Sequence, residues 1–317
     1  MRILITGGFG FIGGRLAVHL SKCGHQIILA SRVKRDVPDW LVFAETFHID
    51  WCDESKLREV CSRVDIVIHA AGMNSNDCQA DPEVAFEFNG VATARLVRAA
   101  VSAEIDTFIY LSTAHVYASP LQGEITEATK LNNPHPYATS HLAGEDAVLK
   151  TSERGKTQRV VLRLANIYGA PTHAMANCWM LLVNDLCKQA VTTREILVQS
   201  SGLQQRNFLT MSDACVVIEK LLATGSGLNV PAILNVGSRN SETINDMATL
   251  IQKRCKEVLG INPIIKHSSD NPKNVASTLN YGTLYSSLFI ESILNNKNSE
   301  IDSLLEFCRD SFAVKSD

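Results

Sequence analysis

The chain of 317 residues is 45% hydrophobic and 20% charged, the composition of an ordinary globular protein with a sizeable core. Its formal net charge of -3 provides no general attraction to nucleic acid or to an anionic membrane, so we expect neither as a partner. The chain has nine cysteines without a Cys-x-x-Cys pair, no signal-peptide pattern and no apolar run of about 18 residues. The cysteines predict free thiols and no metal site, and the other two features predict a cytoplasmic protein without a membrane span.

In chain order, short apolar runs alternate with helical patterns through the first half of the sequence. The predicted strands are Ile3–Ile5, Gln26–Ala30, Phe47–Asp50, Asp65–Ala70, Thr107–Ser112 and Arg159–Leu164. The predicted helices are Phe11–Cys23, Pro82–Ala103 and Pro136–Thr151. This alternation, with strands that are apolar throughout, predicts an α/β fold with a doubly wound parallel sheet of the Rossmann type.

A glycine-rich turn joins the first predicted strand to the first helix. Gly7 permits the tight turn, Gly10 lets the backbone approach a pyrophosphate, and Gly13 lets helix and strand pack closely. The amides of Phe11 and Ile12 then open a helix whose N-terminus favours an anion. These five residues are predicted to bind a dinucleotide cofactor. We expect residues 1–170 to form this cofactor domain and residues 171–317, where the pattern loosens, to form a smaller mixed substrate region with some segments returning to the core.

The end of the second strand is expected to meet the adenosine ribose. The residues there are Ser31 and Arg32 instead of an acid, which favours the 2′-phosphate of NADP over NAD, although Arg32 could also be a solvated loop charge. Asp50, after the third strand, is a candidate acceptor from the adenine amino group. It could also cap a helix before Glu54, and the two roles are compatible.

These motifs resemble the extended short-chain dehydrogenase/reductase family, in particular its nucleotide-sugar epimerases, dehydratases and reductases. The matching segments run over nearly the whole chain and are Thr6–Gly13, His69–Gly72, Asn89, Ser112–Tyr117, Tyr137–Glu145, Val161–Gly169, Gly202–Phe208 with Asp213, and Leu234–Ser238 with Thr243–Ile244. The resemblance implies a nucleotide-diphosphate sugar as substrate. It also implies a homodimer through the helices predicted at Pro82–Ala103 and Pro136–Thr151.

The resemblance assigns roles to individual side chains. Tyr137 becomes the catalytic acid or base, and Thr113 a hydrogen-bonding partner of the reacting oxygen. The further cofactor contacts implied are Ala70, Ala71, Asn89, Tyr137 and His141, and the substrate contacts implied are Thr113, Asn166, Asn177 and Arg206. Arg206 suits a diphosphate because its guanidinium offers paired donors, and either Arg206 or Asn177 could instead be a surface residue.

The main departure from the family pattern is His141, which stands where the family has a lysine four residues after the tyrosine. Imidazole carries a full charge only when protonated, and its reference pKa is about 6.5. Three interpretations follow: an enzyme with a weakened Tyr137, an enzyme that recruits another cation, or a dinucleotide-binding or regulatory protein that has lost turnover.

His115 is the second departure. Family dehydratases carry an Asp-Glu pair after the threonine, and this chain has Ala114 and His115, so dehydration is not expected. His115 could serve as a base near neutral pH or merely cap the loop. The sequence therefore predicts an NAD(P)-dependent nucleotide-sugar epimerase or 4-keto reductase, with the catalytically impaired binding protein as the alternative.

Overall fold

The structure is a computed structural model, and it describes residues 1–151, 156–223, 230–268, 278–285 and 296–313. Within these ranges, no helix is both long enough and apolar enough to cross a membrane.

The main sheet has seven strands. They are β1 (Arg2–Thr6), β2 (Gln26–Ser31), β3 (Ala44–His48), β4 (Ile66–His69), β5 (Thr107–Thr113), β7 (Gln158–Leu164) and β11 (Ile233–Val236). Their spatial order is β11-β7-β5-β4-β1-β2-β3, and every pairing from β7 to β3 is parallel. Helices cover both faces of a parallel sheet, which explains why β1 is apolar from Ile3 to Ile5 and why β5 is buried along its length. The predicted Rossmann-type α/β fold is confirmed.

Helices connect these strands. They are α1 (Phe11–Lys22), α2 (Glu54–Cys61), α3 (Ser75–Ala80), α4 (Pro82–Phe86), α5 (Thr93–Ser102), α6 (Pro136–Lys150) and α8 (Met211–Ala223). A π-helical segment, Glu87–Ala92, joins α4 to α5, and a short 3₁₀ turn, Ala114–Val116, follows β5. One buried cluster under α2 and α5 includes Leu4, Leu96 and Phe108.

Two predicted elements differ from the structure. The third strand was predicted at Phe47–Asp50 but lies at Ala44–His48, because it pairs with β2 from Ala44 onward. This edge strand is only partly buried, so its apolar pattern is weak. The helix predicted at Pro82–Ala103 is interrupted by the π-helical segment, which propensity and periodicity do not reveal.

The chain divides into two compact units. The first comprises residues 1–120, 127–164 and 218–235, and the second comprises residues 121–126, 165–217 and 236–317. The remaining elements are β6 (Gly123–Ile125), β8 (Asn166–Tyr168), α7 (Leu182–Thr192), β9 (Glu195–Val198), β10 (Gln205–Thr210), β12 (Ser241–Thr243), α9 (Ile244–Leu259), β13 (Ile264–His267), β14 (Leu279–Tyr281) and α10 (Lys297–Phe312). Their strands form three small sheets, β12-β10-β8, β13-β9 and β14-β6.

Candidate active site

The glycine turn lies between β1 and α1, close to the end of β4. Gly7 has a φ of +66°, and a Cβ there would lie 2.8 Å from the Ala70 oxygen and the Ala71 nitrogen. A Cβ at Gly13 would collide with the Gly7 carbonyl. Gly10 caps α1, and no side chain among the described residues caps the amides that open the helix at Phe11. The turn therefore leaves backbone donors for an anion, as a pyrophosphate requires.

A chain of hydrogen bonds ties this turn to the π-helical segment. The Ala71 amide donates to Thr6 Oγ1 at 3.3 Å, and Thr6 Oγ1 lies 2.6 Å from His69 Nδ1. His69 Nε2 lies 2.8 Å from Thr93 Oγ1, which donates to the Asn89 carbonyl at 2.7 Å. Burial lowers the pKa of His69 to about 3, so this imidazole is neutral. The chain fixes the backbone at Ala71, one of the predicted cofactor contacts.

Asn89 is 1% exposed and points inward from the π-helical segment. Its Oδ1 accepts from the Met73 amide at 2.9 Å, and its Nδ2 donates to Ser140 Oγ at 3.0 Å. It thus joins the loop after β4 to helix α6. In this structure the residue holds the walls of the site together, and contact with a cofactor stays a prediction.

The predicted adenosine end is open and basic. Ser31 Oγ accepts from the Val33 amide at 3.2 Å, and the Arg32 guanidinium lies 4.8 Å from the centre of the Phe88 ring. A cavity of about 490 Å³ lies beside it. The lining residues are Ser31, Val33, Lys34, Arg35, Asp36, Thr46, Phe47 and His48.

Asp50 is exposed, and its carboxylate accepts from the Cys52 amide at 2.9 Å. The helix-cap role considered for it is wrong. Asp53 caps α2 instead, accepting from the amides of Ser55 and Lys56. The reason is spacing, because a cap lies directly before the first helical residue and α2 begins at Glu54.

Tyr137 and Thr113 meet at the end of β5. Helix α6 begins at Pro136, whose fixed φ suits a first helical position, and His135 caps it by accepting from the Tyr137 amide at 3.1 Å. The Tyr137 side chain lies beside that of Thr113. Burial raises the pKa of Tyr137 more than the neighbouring Thr113 hydroxyl lowers it. The phenol is therefore held in its protonated form at neutral pH.

His141 lies one helical turn after Tyr137 and is 6% exposed. The two ring centres are 4.7 Å apart, and His141 Nδ1 lies 3.0 Å from the Tyr110 hydroxyl. Burial lowers the pKa of His141 to about 4, so the imidazole is uncharged at neutral pH. It cannot supply the positive charge that a lysine would bring to Tyr137.

A buried ion pair lies below these residues. Arg163 on β7 and Glu145 on α6 have side chains that are each 3% exposed, and Arg163 Nη2 donates to Glu145 Oε2 at 2.6 Å. Ser112 Oγ donates to the same carboxylate at 2.5 Å, and Arg163 Nη1 donates to the Tyr117 hydroxyl at 2.8 Å. The pair fixes the register between α6 and the ends of β5 and β7.

His115 lies in the 3₁₀ turn after β5 and is partly exposed. Its amide donates to Thr113 Oγ1 at 3.2 Å, and its carbonyl accepts from Asn133 Nδ2 at 2.7 Å. The backbone of His115 thus shapes the turn, while a catalytic role for its side chain stays a prediction.

The second unit carries the remaining substrate candidates. Asn166 on β8 donates to the Asn207 carbonyl at 3.1 Å. Arg206 on β10 donates through Nη2 to Gln204 Oε1 at 3.3 Å, and burial lowers the pKa of Arg206. Asn177 is exposed in the stretch between β8 and α7.

A sequence model described as "NAD dependent epimerase/dehydratase family" matches residues 3–237. The chain belongs to the NAD-dependent epimerase/dehydratase family. The resemblance to extended short-chain dehydrogenases is thereby confirmed.

Relatives within this family are named for different reactions. The dTDP-D-glucose 4,6-dehydratase of Mus musculus is 30% identical over 293 residues, covering 86% of this chain and 79% of that protein. The dTDP-6-deoxy-L-talose 4-dehydrogenase (NAD(P)(+)) of Kitasatospora kifunensis is 28% identical, covering 79% and 78%. Both are named as enzymes, and neither supports the catalytically impaired alternative.

The fold is shared with a solved structure. The UDP-glucuronic acid 4-epimerase of Bacillus cereus, in complex with UDP-glucuronic acid and NAD, superposes with a TM-score of 0.77 at 19% identity. The match covers 98% of this chain and 99% of that one.

From the sequence we predicted no role for Tyr110, Thr93 or Arg163. In the structure of this chain, these three residues complete the candidate site. Tyr110 offered one signal, since a hydroxyl inside an apolar strand needs a buried partner. The hydrogen-bonding partners of Thr93 and Arg163 lie on other secondary-structure elements, so no local sequence pattern indicates them.

Proposed function

We propose that this chain is an NAD(P)-dependent nucleotide-sugar epimerase or 4-keto reductase. The observation that carries the proposal is the placement of the Tyr137 side chain beside that of Thr113 at the end of β5, in the same compact unit as the glycine turn. A bound nicotinamide supplies the chemistry of accepting or returning a hydride at the sugar carbon. Tyr137 exchanges the proton of the sugar oxygen, and Thr113 donates a hydrogen bond to the same oxygen.

His141 serves in this proposal as a neutral hydrogen-bond donor. Among the described residues, the Tyr110 hydroxyl has His141 Nδ1 as its hydrogen-bond partner, and Tyr110 is 1% exposed. A buried hydroxyl proton without an acceptor costs free energy, so Tyr110 donates to Nδ1. The proton of the neutral ring then resides on Nε2, which faces the Gly72 side of the site. His141 can therefore position a ribose hydroxyl without adding a charge.

The proposed reaction does not include elimination of water. Elimination of water needs an additional acid–base pair, and the two residues after Thr113 are Ala114 and His115. We therefore do not propose the dehydratase reaction for which some relatives are named. We propose that His115 is a general base for proton transfer at the carbon next to a ketone.

NADP is the proposed cofactor. The support is the absence of an acid at the end of β2, together with the cavity beside Ser31 that Lys34 and Arg35 line. Guanidinium and ammonium groups favour a 2′-phosphate. The turn residues Gly7, Gly10 and Gly13 would hold the pyrophosphate, and Arg206 and Asn177 the sugar diphosphate.

A homodimer is also proposed through α4 and α6. Val84 and Phe86 on α4 are 51% and 54% exposed in one chain, an apolar surface that a second copy could cover.

Native mass spectrometry of the purified chain, followed by turnover assays, tests these proposals together. We expect a mass of two chains with NADP retained. We then expect turnover of one UDP- or dTDP-linked hexose, or of its 4-keto form, in a panel. An epimerase needs only catalytic cofactor, whereas a reductase consumes one NADPH per sugar. No dinucleotide binding and no turnover would contradict the function, and retained NAD would contradict the NADP preference alone.

A change at position 141 tests the proposed neutral donor. In the oxidative direction Tyr137 must accept a proton, so we expect the wild-type rate to rise with pH toward the raised pKa of Tyr137. His141 is uncharged above its pKa of about 4 and does not offset this. His141→Lys places a cation beside the phenol and should move the rise to lower pH by about one to three pH units.

The matched control is His141→Gln, which keeps a neutral donor and should leave the pH of the rise unchanged. An identical profile in all three proteins would show that residue 141 does not set the ionisation of Tyr137.

A further inference from the structure

A group of three metal-ligating side chains lies at the end of α1 opposite the glycine turn. His19 and Cys23 are four positions apart, so they lie one above the other on the same side of the helix end. Glu219 comes from the middle of α8. The ligand atoms of all three lie within 4.8 Å of one another.

The contacts within the group are close. His19 Nε2 lies 2.7 Å from Glu219 Oε2, and the Cys23 sulfur lies within 4.8 Å of both ligand atoms. The side chains of His19 and Glu219 are 29% and 37% exposed, and Cys23 is exposed. An ion can therefore enter from solvent, and the side chains have room to open around it.

We propose that His19, Cys23 and Glu219 form a binding site for a zinc-class divalent cation. Imidazole nitrogen, thiolate sulfur and carboxylate oxygen are the three ligand types that Zn²⁺ takes, at about 2.0–2.3 Å. Such bonds place ligand atoms roughly 3–4 Å apart in a tetrahedral site. Small rotations of the three side chains would bring their ligand atoms to this spacing. Water or the nearby His25, which interacts electrostatically with Glu219, would take the fourth position.

Two further features favour a cation at this place. The C-terminus of a helix carries partial negative charge, and His19 and Cys23 lie at the end of α1. Glu219 adds a full negative charge. Binding converts the Cys23 thiol to a thiolate and releases its proton to solvent, so affinity rises with pH. Burial and Glu219 raise the pKa of the free Cys23 thiol, so this dependence extends to higher pH.

The sequence predicted no metal site because its cysteines form no close pair. The ligands here come from one helix end and from a helix about two hundred positions later, which a scan for paired cysteines misses. The site is separate from the proposed cofactor turn, so its test does not depend on the proposed function.

Zinc competition with a chromophoric chelator, on the 317-residue chain freed of metal, tests the site. We expect one Zn²⁺ per chain, with affinity falling about tenfold or more in His19→Ala and in the isosteric Glu219→Gln. Cobalt should give a thiolate-to-metal charge-transfer band that disappears in Cys23→Ser. Cys52→Ser, at another exposed cysteine, is the matched control and should keep both the band and the affinity.

Thermal melts accompany these titrations. Zn²⁺ should raise the melting temperature of the wild-type protein and not that of Cys23→Ser, because only the folded chain assembles the three ligands. Absence of stoichiometric zinc binding, or a cobalt band that survives in Cys23→Ser, would overturn the proposal.

Discussion

Tyr137→Phe is expected to lower turnover by about two to four orders of magnitude, the contribution typical of a positioned general acid or base. The substitution removes the hydroxyl beside Thr113 and leaves the ring against His141. Cofactor binding should persist, because the glycine turn and the β4 loop are untouched. Steady-state assays and a dinucleotide titration on the same preparation measure the two effects separately.

The matched control is Tyr168→Phe. Tyr168 is also buried, and its hydroxyl has no hydrogen-bond partner among the described residues. Its removal should leave turnover within about twofold and cost no stability, since no hydrogen bond is lost. Retained activity in Tyr137→Phe would show that Tyr137 is not the catalytic acid or base.

Arg163→Met is expected to give the largest loss of stability, about 3–5 kcal/mol in the free energy of unfolding. The substitution leaves the Glu145 carboxylate buried with only the Ser112 hydroxyl bonded to it in the described network. Removing one partner of a buried pair is costly because the other charge stays uncompensated. Urea denaturation followed by circular dichroism measures the change.

Two controls distinguish the cost of leaving a charge buried from the cost of breaking an ion pair. Lys150→Met breaks the exposed pair with Asp146 and should cost less than about 1 kcal/mol. The double variant Arg163→Met with Glu145→Gln removes both charges and should recover part of the loss. Equal effects at Arg163 and Lys150 would show that the buried pair contributes no more than a surface one.

The parallel sheet and the glycine turn could be predicted because both depend on local sequence. Continuous apolar runs such as Ile3–Ile5 are fully buried, and a turn that approaches Ala70 tolerates only glycine at position 7. The relation between Tyr137 and His141 also followed from helical spacing, four positions apart on one face.

The remaining features depend on partners from distant segments. Val84 belongs to the apolar pattern of the predicted helix, yet it is 51% exposed, because the π-helical segment shifts the phase between α4 and α5. The Tyr110–His141 bond and the Arg163–Glu145 pair join β-strands to α6, and their sequence separations carry no periodic signal. Sequence alone named His141 as unusual but could not give its charge.

The hydrogen-bonded chain from Ala71 to Asn89 admits a single arrangement of protons. An amide at one end can only donate, and a carbonyl at the other can only accept. Thr93 donates its proton to that carbonyl, so it accepts from His69 Nε2, and the neutral ring then accepts from Thr6 at Nδ1. The imidazole is confined to one tautomer by these neighbours, and a second proton on Nδ1 would deprive the Thr6 hydroxyl of this acceptor. The loop after β4 is thus oriented by hydrogen bonds whose donors and acceptors cannot exchange roles.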